Sequence, residues 1–124
     1  MIVYDAGALV AAEHNVRSVW ALHDATLRRD LTPIVPAGAL AQVWRGGPQA
    51  SLSRLLAGCR VTSLDESLAR AAGTLCRQAG TSDVVDASVV VLAHAMRTPV
   101  VTGDAGDLSA LAGAAGWPIT LHEI

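Results

Sequence analysis

Residues 81–104, TSDVVDASVVVLAHAMRTPVVTGD, decide the fold. Residues 81–96 read as a helix whose faces are filled by valines and alanines, so it is to be buried on nearly all sides. The run PVVT (99–102) that follows is short, continuous and β-branched, the pattern of a strand covered on both faces. Yet Asp83 and Asp86 stand in the first turn of this apolar helix, and Asp104 comes two residues after the strand. Carboxylates at the end of the most apolar segment call for a chemical reason.

The same alternation runs through the rest of the chain. MIVY (1–4) reads as a strand and AGALVAA (6–12) as a small-residue helix. In VRSVWALHDATLRR (16–29), Val16, Val19, Trp20, His23 and Leu27 fall at helical spacing, and Arg28 and Arg29 suit a helix C-terminus. PIVP (33–36) is a second strand, AGALAQVWR (37–45) a helix, and SLSRLLAG (51–58) a short helix stopped by Gly58. CRVTSL (59–64) is a third strand. Leu64, Leu68, Ala72, Leu75 and Ala79 form a helical stripe closed by Gly80. A helix from Asp107 to Ala115, stopped by Gly116, and a last strand in WPITLHEI (117–124) complete the pattern. Alternating elements with continuous apolar strands predict an α/β fold: a single domain, 1–124, with a parallel central sheet and helices on both faces.

Composition narrows the function. Hydrophobic residues make up 52% of the 124 and charged residues 16%, which favours a compact fold over disorder. Net charge is −2, and all nine basic residues are arginine. A broad basic surface for gripping nucleic acid is therefore not expected, although a nucleic acid reached through metal ions is compatible with this balance. Cys59 and Cys76 lack metal-ligand spacing and read as reduced core residues of a cytoplasmic protein. Asp5 and the absence of a basic leader argue against a signal peptide, and no apolar run reaches the length of a membrane span.

In open parallel sheets, sites form outside the carboxyl ends of the strands. Asp5 ends the first strand and Asp104 follows the PVVT strand. Asp83, Asp86 and Asp107 lie at helix starts that can face the same edge. Several carboxylates in one partly buried pocket are costly unless cations compensate them. The chain has no lysine, and no arginine lies within these segments. A divalent cation is the simplest compensation, and hard oxygen ligands suit Mg²⁺ or Mn²⁺ better than zinc.

Each aspartate also has a plainer reading. Asp83 fits an N-cap better than a direct metal contact, and Asp107 also reads first as an N-cap. Asp104 is balanced between turn residue and ligand. For Asp5 and Asp86 function is favoured, because neither strand end nor apolar helix explains a charge there. Asp65 looks like an ordinary helix cap. His14, His23, His94 and His122 share no motif and read as solvent-facing or satisfied core histidines. Trp20 and Trp44 are expected in the core. Arg45 reads as a solvated arginine ahead of a phosphate contact. No Gly-rich phosphate loop is present.

The strand end IVYDAGALV, the helix start VDASVVVLA and PVVTGD, eighteen residues beyond Asp86, together resemble a PIN domain. More narrowly, the chain resembles a VapC-type ribonuclease toxin of a bacterial toxin–antitoxin pair, over essentially its whole length. By that resemblance Asp5, Asp86 and Asp104 match the first, third and fourth acids of the family. The second, a glutamate in the helix after the second strand, is replaced here by Gln42, which keeps an acceptor oxygen and loses a charge. Asp83 has no counterpart in the minimal pattern and is a candidate to restore that charge.

The resemblance implies a metal-dependent endoribonuclease: Asp5, Asp86 and Asp104, with Gln42, would form the catalytic centre, with Asp83 and Asp107 as further ligands. Mg²⁺ or Mn²⁺ would activate water against an RNA phosphodiester, so no side-chain nucleophile is needed. It also implies a homodimer silenced by a small antitoxin. Two rivals stand beside it. A phosphatase of the haloacid-dehalogenase type would want an aspartate where Gly7 stands, and a lysine. A catalytically weakened or inactive binding module on the same fold is the reading that Gln42 supports.

Overall fold

A computed structural model describes all residues from Met1 to Ile124. Five short strands alternate with seven helices: β1 (Val3–Tyr4), α1 (Ala6–Glu13), α2 (Arg17–Arg28), β2 (Ile34–Pro36), α3 (Ala37–Val43), α4 (Ala50–Ala57), β3 (Arg60–Thr62), α5 (Glu66–Ala79), α6 (Val84–Met96), β4 (Val100–Thr102), α7 (Ala105–Ala115) and β5 (Leu121–Glu123). The sheet is wholly parallel, in the order β3-β2-β1-β4-β5. Val3 pairs with Ile34 on one side and Val100 on the other, so β1 is the central strand. α5, α6 and α7 pack together as one group, and α1, α3 and α4 as another. The expected α/β architecture is the one found.

The strand order has a consequence for chemistry. The chain moves from β1 outward through β2 to β3, then crosses back to place β4 on the other side of β1. The connections leaving β1 and β4 therefore diverge, and a crevice opens at the carboxyl ends of these two strands. Asp5 and Asp104 flank it.

The segment 81–96 folds as its composition demands. Ala87, Val89 and Val90 are fully buried between the sheet and neighbouring helices, and Val91, Leu92 and Ala93 nearly so. Valine is an indifferent helix former, and here burial outweighs propensity. The Asp83 carboxylate starts the helix by accepting from the Asp86 N–H at 3.0 Å. Asp65 caps α5 in the same way through the Leu68 N–H at 2.8 Å, as its position implied. Both cysteines are free; Cys76 is buried, and Cys59, half-buried just ahead of β3, donates to the Leu55 carbonyl. No helix is long and apolar enough to cross a membrane.

Three local expectations need correction. α3 stops at Val43 rather than continuing through Arg45. The Arg45 guanidinium donates to the carbonyls of Gln42 and Trp44 at 2.7 and 2.8 Å, and Gln49 pins the following turn by accepting from the Arg45 N–H and donating to Val43 O and Glu13. These side-chain bonds replace the helical ladder, and Arg45 spends its donors on its own backbone. In consequence Trp44 is not a core residue: it is 43% exposed, at the rim of an open apolar groove with Ala37, Leu40 and Leu56. Finally, α7 begins at Ala105, so its N-cap is Asp104 and Asp107 lies in its first turn.

Candidate metal centre

Asp5 is buried, with its backbone in the sheet through Val101 O and its carboxylate capping α1. Oδ1 accepts from the Ala8 N–H at 2.9 Å, and Oδ2 accepts from the Thr102 hydroxyl. That same hydroxyl oxygen accepts from the Asp104 N–H at 2.7 Å. Thr102 thus ties the carboxylate at the end of β1 to the backbone carrying Asp104 after β4. Burial pushes the Asp5 carboxyl above its ordinary value, and the bonds from Thr102, Ala8 and the Gly103 N–H pull it back toward ionisation.

Around this fixed acid lie four others. Carboxylate oxygens of Asp86, Asp104 and Asp107 all lie within 4.8 Å of one another. Asp104 caps α7 with its backbone only, so its carboxylate is not spent on the helix. Asp83, Asp86 and Asp107 also line a cleft of about 150 Å³ with Thr81 and Leu111. Asp86 is pushed up to about 7, first by burial and then by the charge of Asp83, with smaller contributions from Asp104 and Asp5. Asp107 is raised chiefly because its protonated carboxyl can hydrogen-bond Asp104. No cation of the chain answers these charges: the one salt bridge is Arg70 with Glu66, on the surface of α5. The donor set, carboxylate oxygens around a shared space, fits a hard divalent ion.

Asp5, Asp83, Asp86, Asp104 and Asp107 therefore come to one edge, as their positions suggested. Gln42 lies on a different helix, α3. It is exposed near the end of α3 and makes no hydrogen bond to any of the five. Its helix does pack on α6: a Cβ at Gly38 would sit 3.5 Å from Val85, and Gln42 is one turn further along that face.

Two features were not read from the sequence. One is Thr102, whose only signal was a hydroxyl residue closing an apolar run two places before an aspartate. The other is the contact between Gly7 and Gly103, where a Cβ at Gly7 would come within 2.9 Å of the Gly103 Cα and N and 3.3 Å of Asp5 Oδ1. That contact leaves no room for the aspartate that a dehalogenase-type phosphatase would need at position 7. The histidines fall as expected, with His14 and His122 exposed and His23 buried against the Tyr4 hydroxyl at 2.8 Å.

Thr102→Val is expected to destabilise the protein by about 1–3 kcal/mol, because the Asp104 N–H and Asp5 Oδ2 both lose a buried partner. The Asp5 carboxyl should also titrate higher. Thr102→Ser should restore both. Chemical denaturation and an NMR titration of Asp5 check this; a valine variant matching the parent in both would refute the bridging role.

No protein-family description and no curated protein matches the sequence. Solved structures do match in fold. A chain of VapBC2 from Rickettsia felis, bound to a DNA fragment from its promoter, superposes with a TM-score of 0.74 at 16% identity, over 100% of this chain and 99% of that one. The chain has the PIN-domain fold. A toxin–antitoxin complex from Klebsiella pneumoniae matches with TM-score 0.72 and 17% identity over the whole of both chains. FitAcB from Neisseria gonorrhoeae gives 0.67 and 18%, over 99% and 97%. At these identities the likeness is one of fold.

Proposed function

We propose that this PIN-fold chain is a Mg²⁺- or Mn²⁺-dependent endoribonuclease, the toxin of a VapBC-like toxin–antitoxin pair. The observation that carries the reading is the approach of the Asp86, Asp104 and Asp107 carboxylates to within 4.8 Å, beside buried Asp5 and without a compensating cation. Like charges so placed favour a bound divalent ion. When bound, the ion supplies Lewis-acid activation of water and stabilises the leaving oxygen of a phosphodiester.

The chain's own part is positioning. Asp5 is locked by Thr102 and Ala8, and Asp86 is carried on the most buried helix. Asp104 keeps its carboxylate free of its helix. Asp83 and Asp107 add charge on the α6–α7 side. That the superposed structures are toxin–antitoxin complexes supports a small antitoxin as partner. An RNA substrate, a homodimer and a cytoplasmic site belong to the same proposal and rest on the family resemblance.

Purified antitoxin-free protein is to be incubated with structured and unstructured RNAs in Mn²⁺, Mg²⁺ or EDTA, beside Asp5→Ala and Asp86→Ala. Metal-dependent cleavage lost in both variants is the expected result. Absent cleavage together with absent Mn²⁺ binding would reject the enzyme.

Gln42 favours one alternative, a binding module of weakened or lost activity on the same fold. If Asp83 supplies the charge that Gln42 lacks, Asp83→Asn should weaken Mn²⁺ binding about tenfold or more, and Gln42→Glu should recover it in the double variant. Calorimetric titration with Mn²⁺ reads both. Unchanged affinity in Asp83→Asn would leave that residue a helix cap alone.

A further inference from the structure

A cavity of about 390 Å³ lies at the opposite end of the sheet from the carboxylates. Ala93, His94 and Arg97 border it at the end of α6, Pro99 just ahead of β4, and Ile119 and Thr120 just ahead of β5. No carboxylate lines it, in contrast to the crevice at the other edge. Its size lies within the range of small-ligand sites.

Arg97 marks it out. Helices α5 and α7 end in left-handed turns at Gly80 and Gly116, each with φ 70°. Helix α6 ends in the same turn, but on Arg97 at φ 51°. Glycine adopts that conformation freely, whereas a long L side chain is strained there. The other non-glycine residues with positive φ, Asn15 and Asp30, are the short polar types that tolerate it. Strain kept at one long side chain points to a use for that side chain. The Arg97 guanidinium has no ion pair within the chain, since the one salt bridge is Arg70 with Glu66. Beside it the His94 ring lies flat on Trp117, centroids 4.1 Å apart and planes 3° apart, so the imidazole edge is held in place.

A guanidinium free of internal partners suits a phosphate, and apolar walls with a fixed ring suit a planar base. From these features we infer that the cavity binds a nucleoside monophosphate, either free or as the phosphorylated end of an RNA. Arg97 takes the phosphate, and His94 lies beside the base. The site is separate from the metal centre and does not depend on it.

The test uses the full chain in EDTA, with amide NMR shifts and calorimetry. The probes are AMP, a short RNA with and without a 5′-phosphate, and inorganic phosphate. AMP and phosphorylated RNA are expected to shift residues 93–99 and 118–120, and whichever binds tighter identifies the source. Arg97→Gly should weaken binding by about tenfold or more while raising the melting temperature, which separates lost recognition from lost folding. Asp86→Asn should bind as the parent does. No shift with any probe, equal affinity for inorganic phosphate and AMP, or undiminished binding in Arg97→Gly would overturn the assignment.

Discussion

Asp86→Asn is expected to stabilise the metal-free protein at neutral and alkaline pH while removing the nuclease activity proposed for it. The Asp86 carboxyl is raised from 3.8 to about 7, first by burial and then by Asp83. The folded state thus prefers the protonated form. That preference contributes stability in full below pH 3.8 and loses it as pH rises through about 7. Above pH 7 the metal-free parent must carry an ionised Asp86 among like charges, whereas asparagine bears none. Asp86 is only half-buried, so solvent screening reduces the expected gain to about 1–2 kcal/mol at pH 8. At pH 5 the gain should be smaller, because only the first part of the window from 3.8 to about 7 has been crossed. Manganese should reverse the order, because the ion stabilises only a chain that binds it. On the proposed nuclease reading, in which Asp86 holds the metal, its loss should lower cleavage at least about 100-fold, since supporting residues around metals already cost about that much. Calorimetry in EDTA at pH 5 and pH 8, repeated with Mn²⁺, reads the stability effect. A variant less stable than the parent at pH 8 in EDTA would refute the electrostatic account.

Gly7→Ala should act through shape alone. Alanine normally strengthens a helix relative to glycine by about 1 kcal/mol, and Gly7 has an ordinary negative φ. Here, however, the new methyl would stand 2.9 Å from the Gly103 Cα and N, both backbone atoms that cannot swing aside. The 103–104 backbone must move away from β1, carrying Asp104 away from Asp5 and stretching the Thr102 bridge. Overpacking of this kind costs about 1–3 kcal/mol. Affinity for Mn²⁺ should fall in the same variant, because the two acids no longer share one geometry. Gly73→Ala in α5 is the control: a Cβ there meets nothing within 4 Å, so it should stabilise. If Gly7→Ala melted no lower than the parent and bound Mn²⁺ equally well, the contact would not be what sets the spacing of the acids.

Much of this architecture was legible in the order of residues. Continuous apolar strands alternating with helices specify a parallel sheet covered on both sides, because only that arrangement buries β-branched runs such as Val100–Val101. Strand ends then locate the candidate site, since Asp5 and Asp104 follow β1 and β4 directly and α6 must bring Asp86 to the same edge. These are local and topological facts, carried by residue type and spacing. Where α3 ends was not legible, because Arg45 and Gln49 reach back to backbone carbonyls through geometry that no period encodes. The exposure of Trp44 follows from that same break. Nor could spacing reveal that Thr102 bonds both Asp5 and the Asp104 backbone, or that Gly7 and Gly103 touch. Those pairs lie 97 and 96 positions apart in the sequence and meet only because β4 inserts beside β1. The sequence by itself determined which carboxylates reach the crevice, because periodicity and strand ends are written residue by residue. Tertiary structure alone decided how closely they approach and which are already committed to hydrogen bonds, because those depend on strand order and on backbone contacts between distant segments.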